Sequence, residues 1–178
     1  ITAESIEKVV TPRTRAVVVV HLWGLAADME PILRVVRKHQ LALVEDCAQA
    51  YDVRYKGKMV GTFGDAACYS LQQSKHITCG EGGIVTTDDP GIYRRAQLYA
   101  NCGMPWYRYG LQAPRAEPLA GVLTRGHFAF GHNYRISELQ AAVALAQLGN
   151  IEAFNDRRRE LVEALETEIA DAAGVGLA

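Results

Sequence analysis

The sequence predicts an α/β fold built around a mainly parallel sheet. Three observations lead there. Ala16-Val-Val-Val-Val20 is a short, wholly apolar, β-branched run, the pattern of a strand buried on both faces. Met29, Ile32, Leu33 and Val36 recur at i, i+3, i+4 and i+7, which makes one apolar helical stripe. Leu41-Ala-Leu-Val44 is a second apolar run. Strand, helix and strand within roughly 30 residues form a βαβ unit, the usual way to join parallel neighbours.

The remaining elements follow in order. Ala3 to Val10 predicts a weak helix, stopped by Pro12. His21-Leu-Trp-Gly24 is a loop, and Asp28 caps the helix that runs to about His39. Tyr51 to Asp65 carries Lys56-Gly57-Lys58 and Gly61-Thr-Phe-Gly64 and reads as a hairpin or irregular excursion. Ala66 to Leu71 is a third strand and Gly83 to Thr87 a fourth. Asp89-Pro90 opens a helix to about Asn101. Cys102 to Gly131, rich in Gly, Pro and aromatics such as Trp106, Tyr107 and Tyr109, reads as a long ordered loop that lines a site or packs. Ser137-Glu-Leu-Gln140 has the form of a capping box. The helix it starts, to about Leu148, is apolar on most sides and is expected to be buried, with a subunit interface as one place for it. After Asn150 a more polar helix runs to about Ala172.

Composition narrows the function classes. The 178 residues make one ordinary domain, and 49% hydrophobic with 22% charged residues is globular composition. Nineteen Lys+Arg against 20 Asp+Glu leave a net charge of -1, which argues against a nucleic-acid or anionic-membrane surface. No apolar run approaches the roughly 20 residues of a spanning helix, and no basic, apolar leader is visible. Cys47, Cys68, Cys79 and Cys102 form no Cys-x-x-Cys pair, so reduced thiols and a cytoplasmic protein are expected, without a zinc site. The chain opens on Ile1 rather than Met, the expectation being a fragment.

In open α/β sheets ligands sit at the carboxyl ends of the strands. The second strand ends in Glu45-Asp46-Cys47-Ala48-Gln49, and the third in Ser70-Leu-Gln-Gln-Ser-Lys75-His76, followed by Gly80-Glu-Gly-Gly83. Taken singly, each has an ordinary reading. An aspartate after a strand is a turn or cap, a lysine is solvated, and a glycine cluster is a tight turn. His21 suits packing and site lining equally, and His76 reads as a structural neighbour of Lys75. Together, a lysine, a carboxylate and a hydroxyl at neighbouring strand ends are what pyridoxal 5'-phosphate (PLP) needs. The lysine forms its Schiff base, and the carboxylate keeps the pyridine nitrogen protonated, because an adjacent negative charge favours the charged form.

Six motifs in order carry a resemblance: His21-Leu-Trp-Gly24, Glu45-Asp-Cys-Ala-Gln-Ala50, Val60-Gly-Thr-Phe-Gly-Asp65, Ser70 to Lys75, Gly80-Glu-Gly-Gly83 and Gly131-His-Asn-Tyr-Arg135. The chain resembles, nearly end to end, the PLP-dependent sugar aminotransferases of the DegT/DnrJ/StrS type. The resemblance implies an aspartate-aminotransferase-like (type I) large domain, a three-layer α/β/α arrangement truncated at both ends. Residues 1–149 would be its central part, and 150–178 a helix leading toward a small domain. It implies that Lys75 forms the internal aldimine and shuttles the proton. Asp46 would hold the pyridine nitrogen, Gln49 would contact the ring face or phenolic oxygen, and Ser70 would bind the phosphate. Asn133 would reach a partner's cofactor phosphate across a homodimer, and Arg135 would be structural or part of the same motif.

The implied reaction moves an amino group from glutamate or glutamine to a keto-sugar nucleotide or keto-cyclitol, in two half-reactions at one site. Gln72-Gln73 is similar to members that act on keto-inositols. The resemblance also brings rivals. A dehydratase branch carries histidine at the lysine position; here five residues after Ser70 is Lys75, with His76 one further on. A second rival is a truncated, non-catalytic chain. A generic nucleotide-binding domain would need a Gly-x-Gly-x-x-Gly turn after the first strand, which is lacking.

Overall fold

The computed structural model describes residues 1–104, 127 and 129–170. Its elements are α1 (Ala3–Glu7), β1 (Ala16–Val20), α2 (Met29–Lys38), β2 (Ala42–Asp46), β3 (Arg54–Tyr55), β4 (Lys58–Met59), β5 (Ala66–Ser70), β6 (Gly83–Thr86), α3 (Pro90–Ala100), α4 (Glu138–Leu148) and α5 (Ile151–Ile169). The main sheet has the order β1-β2-β5-β6. β1, β2 and β5 run parallel, and β6 is antiparallel to β5. The chain is α/β with a mixed, mostly parallel sheet, as the strand–helix–strand pattern requires.

The core lies where α2 crosses one face of β1 and β2. Met29, Ile32, Val35 and Val36 of α2 are buried and pack with Val17 and Val19 of β1 and Leu43 of β2. Strand alternation then sends Val18 and Val20 to the other face, where they are 55% and 44% exposed. Burial of β1 on both faces is therefore not observed, because among the described residues nothing covers that second face. The expected burial of α4 fails for the same reason. It contains no buried residue, and Leu139 and Leu145 are 82% and 70% exposed. Its Ala144 alone of that helix joins a small cluster with Tyr51, Leu71, Ile77 and Cys79.

Helix ends and turns follow local chemistry. Ser137 and Gln140 form the reciprocal capping box, and the Gln140 side-chain Nε2 also donates to the Glu81 carbonyl at 2.9 Å, tying α4 to the approach to β6. Asp89 caps α3 by accepting from the Gly91 and Ile92 amides, with Pro90 at the first helical position. Asp28 occupies the cap position of α2 without a side-chain cap bond; its carboxylate instead takes the Tyr55 hydroxyl. The excursion holds the expected hairpin, β3 and β4 joined by Lys56 and Gly57, both at positive φ as a two-residue turn demands. All four cysteines are free. Most of the 102–131 loop, with Trp106, Tyr107 and Tyr109, lies outside the described residues, as does 171–178 beyond α5.

Register places the site. Asp46 of β2 pairs with Cys68 of β5, so Ser70, two residues on, shares the face of Asp46. Glu45, on the opposite face, points to the core. The Gly64 backbone sits so close to β2 that an added Cβ would lie 2.6 Å from the Leu43 carbonyl oxygen. Gly64→Ala is expected to destabilise by about 1–3 kcal/mol, read as a lower denaturant midpoint at unchanged m-value. At Gly149, φ is -61 and a Cβ would meet only the Ala146 carbonyl oxygen at 3.7 Å. Gly149→Ala should therefore raise the same midpoint, by about 0.4–1 kcal/mol.

Candidate active site

The ends of β1 and β2 are joined by a buried histidine–carboxylate pair turned inward. Glu45 and His21 are both 0% exposed. One Glu45 oxygen accepts from His21 Nε2 at 3.1 Å and from the Gly61 amide at 2.6 Å. The other accepts from the Phe63 and Gly64 amides, each at 2.7 Å. His21 Nδ1 accepts from the Ala27 amide at 3.1 Å, so the ring hydrogen sits on Nε2 and is donated to Glu45. Burial pushes the Glu45 carboxyl up, but the His21 bond and the Gly61, Gly64 and Phe63 amides together hold it below its ordinary value.

Cys47 completes a trio with His21 and Glu45, whose ligand atoms lie within 4.8 Å of one another. The trio does not have the chemistry of a metal centre. Both ring nitrogens and both carboxylate oxygens are engaged, and burial, helped by the Glu45 charge, pushes the Cys47 thiol up to about 12. The cluster is a tie between chain segments.

Asp46 faces the other way and is half-buried. Its Oδ1 accepts from the Ala48 amide at 2.9 Å, a local turn that fixes the carboxylate at the strand end. The chain then passes through Gln49, which clamps the loop after β1. The Gln49 side-chain oxygen accepts from the Trp23 amide at 3.3 Å, and its carbonyl from the Gly24 amide at 2.9 Å. After β5, Ser70 Oγ accepts from the Gln72 amide at 3.3 Å, and the Gln72 side chain takes the Ser74 amide at 2.8 Å. The Lys75 amide donates to the Gln72 carbonyl at 2.9 Å, closing the turn that presents Lys75.

These loops enclose a cleft of about 400 Å³ lined by Trp23, Gly24, Gln49, Tyr51, Lys75 and His76 among others. Of the residues singled out in the sequence, Gln49 and Lys75 thus meet in one cleft. Asp46 and Ser70 stand at strand ends on a common face. Asn133 lies elsewhere, bridged to Asn101, and Arg135 donates to the Asn101 side-chain oxygen at 2.7 Å, a structural contact. His21 is a packing residue, whereas His76 lines the cleft beside Lys75. A wider depression lined by Cys102, His127, Ala129, Phe130 and Gly131 holds none of Lys75, Asp46, Gln49, Ser70 or Asn133.

Sequence reasoning gave no role to Glu45, Trp23 or Tyr51. For Glu45 a signal existed: alternation from Leu43 puts a charge on the core face, and a buried charge demands partners. An amine, a carboxylate, a hydroxyl and an amide at adjoining strand ends form a donor set that fits a flat cofactor carrying a carbonyl, a ring nitrogen and a phosphate. Among the described residues Lys75 makes no ion pair that would occupy its amine.

The chain belongs to the DegT/DnrJ/EryC1/StrS aminotransferase family, whose match runs over residues 1–178. It is 42% identical over 169 residues to L-glutamine:2-deoxy-scyllo-inosose aminotransferase of Streptomyces kanamyceticus, covering 93% of this chain and 38% of that protein. It is 37% identical to GDP-perosamine synthase of Escherichia coli O157:H7, covering 92% of this chain and 41% of that protein. Among solved structures, S. venezuelae DesV in complex with a ketimine intermediate superposes with a TM-score of 0.82 at 34% identity, over 98% of this chain and 43% of that one. The chain thus spans about two fifths of the length of the curated relatives it matches.

Glu45→Gln should show what the buried carboxylate does. An amide in its place turns donors toward the Gly61 amide and His21, so the variant is expected to lose about 3–5 kcal/mol of stability at neutral pH. The acid dependence follows from the lowered value. The ionised carboxylate stabilises the fold at pH above the unfolded value of 4.5, and that contribution is lost as pH falls through the lower folded value. Equilibrium unfolding below pH 4.5 should show this loss in the parent chain and not in Glu45→Gln.

Proposed function

We propose that this chain is the cofactor-binding part of a PLP-dependent aminotransferase that moves an amino group from glutamate or glutamine to a keto-sugar nucleotide or keto-cyclitol. The observation that carries the reading is the cleft that joins Lys75 to Gln49, beside the strand end bearing Asp46, in a member of an aminotransferase family. Residues 1–149 are read as the central part of a type I large domain with helices on both sheet faces, and 150–178 as a helix leading to a small domain. A cytoplasmic homodimer completes the proposal.

PLP, when bound, supplies an electron sink for the carbon that loses its proton. The chain's own groups do the rest. Lys75 Nζ anchors the cofactor's carbonyl carbon and then takes and returns the proton. The Asp46 carboxylate holds a proton on the ring nitrogen, since its charge favours the protonated form. Gln49 orients the ring from its face or phenolic oxygen. Ser70 Oγ binds the phosphate, and Asn133 contacts the phosphate of the partner's site. Donor and acceptor use the site in turn, a ping-pong order. Gln72-Gln73 and the 42% identity to a 2-deoxy-scyllo-inosose aminotransferase support a carbocyclic acceptor.

One observation favours a second reading. His76 lines the same cleft as Lys75, and a histidine at the lysine position marks a dehydratase. Trapping separates the two. The full reading frame that contains this chain is loaded with PLP, reduced with borohydride, digested and mapped by mass. The expected result is a pyridoxyl label on Lys75 that Lys75→Ala removes, and a fall in amine transfer for Asp46→Ala with the label retained. A folded protein without the label, producing a dehydrated ketosugar, would establish the dehydratase. A label on the full frame but not on residues 1–178 alone would show that the isolated chain is non-catalytic.

A further inference from the structure

We propose that Trp23 selects the cyclic acceptor, its indole stacking on the nonpolar face of the ring that carries the reacting carbon. This rests on the aminotransferase reading and adds a specificity determinant to it. Trp23 has φ +53 and Gly24 φ +79. Leu22 and Leu25 exchange amide-to-carbonyl bonds at 3.1 and 2.9 Å around them, so Trp23 and Gly24 are the central pair of a two-residue turn. Such turns favour Asn-Gly, Asp-Gly or Gly-Gly, because both central residues are left-handed. A tryptophan at the first of these positions is a backbone outlier, and outliers of this kind cluster at functional sites.

Packing among the described residues does not account for it. The indole is 82% exposed, so it contributes little to the core. The backbone beneath it is nevertheless held on two sides. Gln49 accepts from the Trp23 and Gly24 amides, and His21, locked by Glu45, accepts from the Ala27 amide on the far side of the turn. The fold spends these contacts on keeping an aromatic surface at the rim of the cleft that contains Lys75.

The chemistry of the two substrates decides which one uses it. An amino-acid donor is linear and charged and presents no flat face. A pyranose or carbocycle presents axial C–H hydrogens of partial positive charge, which suit the negative face of an aromatic ring. Because Trp23 shares the cleft of Lys75, it meets the ring bearing the carbonyl rather than the remote nucleotide of a nucleotide sugar.

The test uses Trp23→Gly and Trp23→Phe in the full reading frame, with L-glutamine and L-glutamate as donors and 2-deoxy-scyllo-inosose and a nucleotide-linked ketohexose as acceptor probes. Glycine suits the left-handed backbone, so Trp23→Gly should leave the thermal midpoint unchanged or raise it. Cofactor absorbance, the trapped Lys75 label and the donor half-reaction should stay as in the parent. The acceptor kcat/KM should fall about tenfold or more, and Trp23→Phe should recover most of it. A lowered midpoint would make the indole a packing residue, and loss of bound cofactor would make it a cofactor contact. Unchanged acceptor kcat/KM, or a parent enzyme that aminates neither probe, also overturns the proposal. Absence of the Lys75 label in the parent would instead overturn the aminotransferase reading on which it rests.

Discussion

Four hydrogen bonds converge on the Glu45 carboxylate, and the ends of several chain segments are fixed by them. The His21 bond ties β2 to the end of β1. The Gly61, Phe63 and Gly64 bonds hold the loop that leads into β5. A neutral side chain of this shape offers too few acceptors for such a set of donors, so the charge itself is the structural element. Because neighbouring residues of a strand face opposite ways, fixing Glu45 toward the core fixes Asp46 toward the other face. The residue that holds the strand ends and the residue assigned to the cofactor are adjacent in sequence and opposite in direction.

Much of this was legible in the residues. β1 and β5 begin where the sequence reading began them, β2 begins one residue later, and the Ser137–Gln140 capping box and the Asp89-Pro90 helix start are observed as read. Local signals suffice there, since caps and β-branched runs act over a few residues. What the sequence did not yield depends on distant partners. Val18, Val20 and the apolar side of α4 are exposed, because composition records that a surface is apolar and not what covers it. Alternation puts Glu45 on the core face, but the amides that partner it lie 16 to 19 residues away, and no local pattern names them. Asp28 looked like a cap and instead holds the Tyr55 hydroxyl.

The same division applies to the site. Lys75 and Gln49 were picked out by motif, and they meet in one cleft. Trp23 reads in the sequence as an ordinary loop residue, because a positive φ is invisible until the backbone is known. Its left-handed turn, the Gln49 clamp and the His21–Glu45 tie form one continuous support from the core to the rim of the cleft. The core-facing charge and the cleft-facing groups are thus parts of a single mechanical arrangement, in which the buried side sets the positions used on the open side.

The most direct measurement is the donor half-reaction alone. The full reading frame, loaded with PLP and freed of excess cofactor, is mixed with L-glutamate or L-glutamine and no acceptor. The account predicts one burst of 2-oxo acid, stoichiometric with bound cofactor, and then no further release until a cyclic ketone is added. Continuous release without acceptor, or no 2-oxo acid from a folded, cofactor-loaded protein, would contradict it.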